Sequence, residues 1–137
     1  MIRVLIADDF PQMVTVMQRL IERADDMRVA GIVTDFRDVV AQILNIEHEV
    51  ILMNDYLPPT TSVNATKRLR EMGVISPIVV ISMQHDPQLI RDALAAGANG
   101  FILKEEFLNH LLPAIRSVHE DEQYLSPLAN SLLQNDG

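Results

Sequence analysis

Polar residues that could do chemistry follow four of the short apolar runs in this chain. Asp8 and Asp9 close the first run, Asn54 the third, Ser82 the fourth and Lys104 the fifth. Carboxylates are ligands that Mg²⁺ prefers, while a lysine and a hydroxyl can stabilise phosphoryl oxygens. Such a set suits transfer of a phosphoryl group to a carboxylate. Asn54, however, is an amide, which is a poor nucleophile and a weaker Mg²⁺ ligand.

Strands are needed to bring these side chains together. Apolar runs typical of strands buried on both faces lie at 3–7, 27–33, 50–53, 78–81 and 101–103. Between and after them, apolar residues recur at helical spacing, and Asp86 with Pro87 is a typical helix start. Five strand–helix alternations predict an α/β fold with a parallel sheet covered on both faces. In such folds ligands bind at the carboxyl ends of the strands, where all five polar residues fall.

The bulk composition excludes several classes of function. The 137 residues make about one domain, and the absence of cysteine excludes disulfides and thiolate metal sites. The net charge of −8 argues against binding a nucleic-acid backbone unaided, and Lys67, Arg68 and Arg70 read as a solvated face. No apolar stretch approaches the roughly 18 residues of a membrane span, and a first strand at Ile2 leaves no room for a signal peptide. We therefore expect a cytoplasmic protein without membrane contacts.

Several separated motifs resemble receiver domains of two-component response regulators of the NarL/FixJ type. Residues 2–11 match the opening of that family, except that Phe10 stands where histidine is common. Residues 95–104 match the run into its last strand, and residues 124–127 resemble the start of its linker. The resemblance implies a flavodoxin-like (βα)5 doubly wound fold, with a five-stranded parallel sheet in the order 2-1-3-4-5. It also implies a receiver domain at 1–120 and a linker at 121–137 toward an absent helix-turn-helix output domain.

The resemblance implies a role for each polar residue. Asn54, four residues before Pro58, stands where the family has its phosphate-accepting aspartate. A Mg²⁺ site weakened by the amide would involve Asp8, Asp9 and Asn54. The phosphate-contact and switch positions would be Ser82, Lys104 and the switch aromatic Phe101. With an amide in place, Lys104 could donate to the Asn54 carbonyl oxygen and still pair with Asp8 or Asp9, which would make the resting site a structural polar cluster.

Departures from the family pattern cluster after the third strand. The residues 59–62 replace a Gly-x-Asp-Gly turn, and losing both glycines predicts a stiffer or differently shaped loop. Asp55 is an alternative acceptor, but successive strand side chains point to opposite faces, so we expect it to be aimed away from the position of Asn54. Asn54 itself is either native, which would make this a pseudo-receiver, or an engineered substitution that freezes the unphosphorylated state. The altered loop favours natural divergence.

The leading hypothesis is a regulatory module, not an enzyme, that controls a LuxR-type output domain through protein contacts. Its expected partners are a sensor histidine kinase or another regulatory protein, a second copy of the chain, and DNA only through the absent C-terminal domain. A stand-alone adaptor is one alternative. A phosphotransferase of the haloacid-dehalogenase kind would need Asp-x-Asp where this chain has Asp8-Asp9-Phe10. A flavin-binding flavodoxin would need a Ser/Thr/Gly-rich phosphate loop at the same place.

Overall fold

The computed structural model describes residues 1–135, in which strands and helices alternate along the chain. The strands are β1 (Ile2–Ala7), β2 (Met27–Val33), β3 (Val50–Asn54), β4 (Tyr56–Leu57), β5 (Thr60–Thr61), β6 (Ile78–Ser82), β7 (Gly100–Leu103) and β8 (Tyr124–Leu125). The helices are α1 (Pro11–Arg23), α2 (Phe36–Gln42), α3 (Ser62–Glu71), α4 (Pro87–Ala96), α5 (Phe107–His119) and α6 (Pro127–Asn135), with a 3-10 turn at Lys104–Glu106.

The main sheet has the strand order β2-β1-β3-β6-β7-β8, and all of its pairs are parallel. β6 and β7 correspond to the fourth and fifth predicted strands, because β4 and β5 form a separate hairpin. The first five strands therefore have the predicted order 2-1-3-4-5, and the predicted fold is confirmed. Each face of the sheet is covered by helices over a separate apolar core. Alternate residues of one strand serve the two cores, as Leu5 and Val4 do in β1. The near-continuous apolar strands follow from this burial on both faces.

Local signals place the helix ends. Pro11 begins α1, where a missing N–H is tolerated, and the Asp86 side chain caps α4 by accepting from the Gln88 N–H at 2.9 Å. Asp35 caps α2 by accepting from the Asp38 N–H at 2.8 Å. The Asp86 cap lies where the sequence predicts a helix start, because the residue type itself satisfies a free N–H group of the first turn.

The residues on either side of Pro58 form a small antiparallel hairpin of β4 and β5, in which Tyr56 pairs with Thr61. The Pro58 carbonyl oxygen accepts from the Phe36 N–H at 2.8 Å, which ties this hairpin to the start of α2. The loop therefore has its own ordered pairing and a tertiary anchor.

The segment predicted to be a linker is packed onto the domain as far as residue 135. Its residues Tyr124–Leu125 form the sixth strand of the sheet, which the sequence did not predict. Ser126, fully buried, donates its N–H to the Phe101 carbonyl oxygen at 3.0 Å and accepts at Oγ from the Leu103 N–H at 3.2 Å. Residues 136–137 of the predicted linker lie outside the described part. Within residues 1–135, no helix combines the length and apolar character that crossing a membrane requires.

Candidate functional site

The carboxyl ends of β1 and β3 bring Asp8 and Asn54 side by side. Ala7 is the register partner of Met53 in this parallel pair, so the next residue of each strand falls at the same edge of the sheet. Both side chains are buried: Asp8 is 1% exposed and Asn54 is 9% exposed. The sequence predicts these two residues at one edge of the sheet, and the register of β1 against β3 places them there.

Each of these two side chains makes one hydrogen bond to the backbone two residues further on and leaves one oxygen without a partner. Asp8 Oδ1 accepts from the Phe10 N–H at 2.8 Å, and Asn54 Nδ2 donates to the Tyr56 carbonyl oxygen at 2.9 Å. Asp8 Oδ2 and Asn54 Oδ1 are buried with no hydrogen-bond partner among the described residues. Two such oxygens at neighbouring positions are costly to bury, and a cation between them would lower that cost.

The residues present fit a Mg²⁺ ion only in part. Asp8 and Asn54 offer free oxygens, and Asp9, which is exposed at the same edge, could add a carboxylate. Across residues 1–135, however, no group of three or more acidic, histidine or cysteine side chains is arranged to hold a metal ion. The Tyr56 carbonyl oxygen at the same edge already accepts one hydrogen bond, from the Asn54 amide. An amide in place of a carboxylate also lowers the charge offered to the ion.

Burial raises the pKa of the Asp8 carboxyl above its ordinary value, while the Phe10 N–H and the charge of Lys104 oppose that shift. A raised pKa in the folded state means that folding favours the protonated form, so this contribution to stability is lost as the pH rises through the raised pKa. We therefore expect Asp8→Asn to stabilise the domain at pH 7 in metal-free buffer. The gain should shrink as the pH falls toward the ordinary aspartate pKa of about 4. Urea unfolding across this pH range measures it.

Asp9→Asn is the matched control for that experiment, because Asp9 is exposed. It should change the free energy of unfolding by no more than about 0.5 kcal/mol. An Asp8→Asn variant that is less stable than the parent at pH 7 would contradict the prediction.

Ser82 is held by Asp55, a residue that the sequence did not place in the site. The fully buried Ser82 donates from Oγ to Asp55 Oδ2 at 2.6 Å. Gln84 donates from Nε2 to the same carboxylate oxygen at 3.1 Å, and its N–H donates to Ser82 Oγ at 3.0 Å. The signal that could have found this network is register: Asn54 pairs with Ile81, so the next residues, Asp55 and Ser82, are neighbours.

Lys104 does not make the bond to Asn54 that the sequence allowed. Its Nζ lies 5.9 Å from the centroid of the Phe10 ring, within the range of a cation–π contact. Among the described residues it forms no hydrogen bond or ion pair with Asn54, Asp8 or Asp9. The lysine begins a 3-10 turn directly after β7, and its effect on Asp8 is a longer-range one that lowers the carboxyl pKa.

A shallow cavity of about 360 Å³ opens beside the site, between α1 and the loops after β6 and β7. It is lined by Phe10, Met13, Met83, Lys104 and Glu105. Phe10 is 49% exposed and Met83 is 72% exposed, although both are large apolar side chains. The edge of the sheet therefore presents an apolar surface next to the polar site.

Phe101, at the predicted switch position, is fully buried in β7. Its side chain belongs to the same apolar core as Ala129 of α6, with Leu128 and Leu132 packed against that core. The packed C-terminal segment thus covers the strand that carries this aromatic residue.

A family model described as the response regulator receiver domain matches residues 4–116. The chain is 28% identical over 127 residues to YvfU of Bacillus subtilis, an uncharacterized transcriptional regulatory protein, an alignment that covers 93% of this chain and 64% of YvfU. It is 27% identical over 135 residues to the oxygen regulatory protein NreC of Staphylococcus carnosus, which covers 98% of this chain and 62% of NreC. The chain therefore spans less than two thirds of these curated relatives.

Solved structures show the same fold at lower identity. A LuxR-family two-component response regulator from Aurantimonas sp. SI85-9A1 superposes with a TM-score of 0.93 at 22% identity, covering 98% of this chain and 96% of that one. The isolated receiver domain of RcsB from Salmonella enterica serovar Typhimurium, in its apo form, gives a TM-score of 0.88 at 18% identity. That match covers 98% of this chain and all (100%) of the other.

Proposed function

Because this chain belongs to the response regulator receiver domain family, we propose that it is the signal-receiving module of a LuxR-type transcription regulator and works without a phosphoryl group on residue 54. The observation that carries the proposal is the amide at the end of β3. Asn54 lies at the buried carboxyl edge beside Asp8 and donates from Nδ2 to the Tyr56 carbonyl oxygen. An amide nitrogen used in this way supplies no nucleophilic oxygen for phosphoryl transfer.

The same hydrogen bond supports a native origin for Asn54. An ionised aspartate has no N–H and could not donate to the Tyr56 carbonyl oxygen. This carbonyl belongs to β4, which pairs with β5 in the loop that departs from the family pattern. The amide and the altered loop therefore form one locally consistent unit, as expected of a natural pseudo-receiver.

Signalling would then depend on protein contacts. The apolar surface beside the site, formed by the exposed Phe10 and Met83 and the half-buried Met13, offers a place for a sensor histidine kinase or another regulatory protein to bind. Contact with DNA would require a helix-turn-helix domain beyond this chain, because the chain itself carries a net charge of −8. The names of YvfU and NreC as regulatory proteins support this assignment. Mg²⁺ would bind weakly at Asp8, Asp9 and Asn54, and the module would not be an enzyme.

The test is incubation with acetyl phosphate and Mg²⁺, followed by intact-mass measurement of the parent chain and of Asn54→Asp. We expect the parent to stay unmodified and Asn54→Asp to gain one phosphoryl group, because Asp8, Asp9, Ser82 and Lys104 are all retained. Asn54→Ala is the control for the effect of losing the amide without adding a nucleophile. A phosphoryl group on the parent would contradict the proposal and would identify Asp55 as the acceptor.

A further inference from the structure

We propose that Asp55 is a latch for Ser82: its carboxylate takes the hydroxyl hydrogen bond that a group on residue 54 would otherwise receive, and holds the end of β6 in one conformation. This inference deepens the proposed function, since it supplies a reason why the module would keep one state without phosphate. Asp55 is here a positioning residue that acts through Ser82.

The backbone register makes this arrangement stable. The Asp55 N–H donates to the Ile81 carbonyl oxygen at 3.0 Å, which extends the pairing of β3 with β6 by one residue. The Ser62 N–H donates to the Asp55 carbonyl oxygen at 2.8 Å and fixes the other side of the same residue. These two backbone hydrogen bonds hold Asp55 so that its carboxylate lies beside Ser82. Because successive side chains of a strand point to opposite faces of the sheet, the Asn54 side chain points to the other face.

The hydroxyl of Ser82 has no hydrogen left to donate to a group on residue 54. Its single hydrogen is donated to Asp55 Oδ2 at 2.6 Å, a short hydrogen bond to a charged acceptor, which is a strong type. One of its lone pairs accepts from the Gln84 N–H at 3.0 Å. Gln84 also donates from its side chain to the Asp55 carboxylate, so Asp55, Ser82 and Gln84 form one hydrogen-bond network. A phosphoryl group on residue 54 would have to break the first of these bonds to recruit Ser82.

Strand pairing followed by two hydrogen bonds connects this latch with α6. Ser82 is the register partner of Leu103, and the Leu103 N–H donates to Ser126 Oγ at 3.2 Å. Ser126 immediately precedes α6, and its carbonyl oxygen accepts from the Asn130 N–H at 2.9 Å in the first turn. The conformation at the end of β6 is thus mechanically connected to the segment that would lead to an output domain.

Hydrogen–deuterium exchange of the parent chain, Asp55→Ala and Ser82→Ala in phosphate-free buffer tests the latch directly. We expect either substitution to speed exchange of the Gln84 amide about tenfold. Ser82→Ala removes the hydroxyl that accepts from this N–H, and Asp55→Ala releases that hydroxyl from the carboxylate that holds it in place. The Asn130 amide in α6 should exchange faster as well. The double variant should be no faster than the faster single variant, since both remove one network.

Asp92→Ala is the matched control for exchange. Asp92 is also a carboxylate that accepts from a glutamine side chain, Gln88 Nε2 at 2.8 Å, but on the exposed face of α4. It should leave the Gln84 amide unchanged. Equal Gln84 exchange in Asp55→Ala and the parent would overturn the latch, whatever the outcome of the acetyl phosphate test.

A second readout separates a latch from a merely structural carboxylate. In the Asn54→Asp background, Asp55→Ala should raise the rate of phosphorylation by acetyl phosphate about tenfold, because Ser82 is freed and a negative charge near the phosphoryl group is removed. A carboxylate that only stabilised the fold would lower this rate or leave it unchanged, and that result would overturn the proposal. Asp55→Asn, which keeps the side-chain volume and an acceptor oxygen, should fall between the two.

Discussion

Replacing Arg70 by alanine is expected to destabilise the domain by about 3–5 kcal/mol, because one half-buried guanidinium satisfies four oxygens at once. Its nitrogens donate to the carbonyl oxygens of Gly97, Val74 and Ser76 and to Asn99 Oδ1, at distances of 2.8 to 3.2 Å. These acceptors belong to two connections, the one from α3 to β6 and the one from α4 to β7. Alanine would leave all of them without the charged donor.

Gly97, which the Arg70 side chain contacts, leaves room for the guanidinium because it has no Cβ. Gly97 ends α4 in the left-handed conformation with φ of 115°, which favours glycine, and a Cβ there would lie 3.0 Å from the Arg70 side chain. Burial lowers the pKa of Arg70, in keeping with its position between elements, yet an arginine remains protonated in proteins. Arg70 therefore joins two connections, and the solvated face predicted from the sequence is wrong for this residue.

Urea unfolding of Arg70→Ala against Lys67→Ala measures the effect. Lys67 lies on the same helix but is exposed, so its substitution should cost no more than about 0.5 kcal/mol. Arg70→Lys should recover only part of the loss, because an ammonium lacks the planar fork that reaches Gly97 and Asn99 together. A cost for Arg70→Ala as small as that for Lys67→Ala would show that the acceptors find other donors.

Phe101→Ala is also expected to cost about 3–5 kcal/mol, through lost burial and an unfilled cavity. Phe101 is fully buried in β7, in the core that α4 and α6 cover. Its loss should also loosen the C-terminal segment, since Ala129 of α6 lies in the same core. We therefore expect both a lower free energy of unfolding and faster amide exchange in α6.

Phe10→Ala is the matched control, because the same side chain is 49% exposed at the edge of the sheet. It should cost less than about 1 kcal/mol, since exposed apolar surface gains little from folding. Similar costs for the two phenylalanines, measured by urea unfolding, would mean that the core around Phe101 collapses to fill the cavity.

The pattern of the sequence determined the parallel α/β architecture and the place of most site residues, and the resemblance of its motifs implied the strand order. Buried parallel strands are near-continuous apolar runs, and each one here ends where a polar residue follows, so Asp8, Asn54 and Ser82 could be placed at one edge without coordinates. The cap at Asp86 was equally predictable from the sequence, because it depends on neighbouring residues alone.

Tertiary structure alone decided which of these side chains touch. Strand alternation correctly separates Asp55 from Asn54, but only the register of β3 against β6 places Asp55 beside Ser82. The Lys104 side chain lies over Phe10. Arg70 donates to Gly97 and Asn99, which lie 27 and 29 positions further along the chain. The segment 121–135 is polar enough to read as a linker, yet two residues complete the open edge of β7 and a buried Ser126 anchors the start of α6. Strand and helix periodicity and helix caps depend on neighbouring residues and can be predicted from the sequence. Contacts between distant elements depend on how whole strands and helices pack.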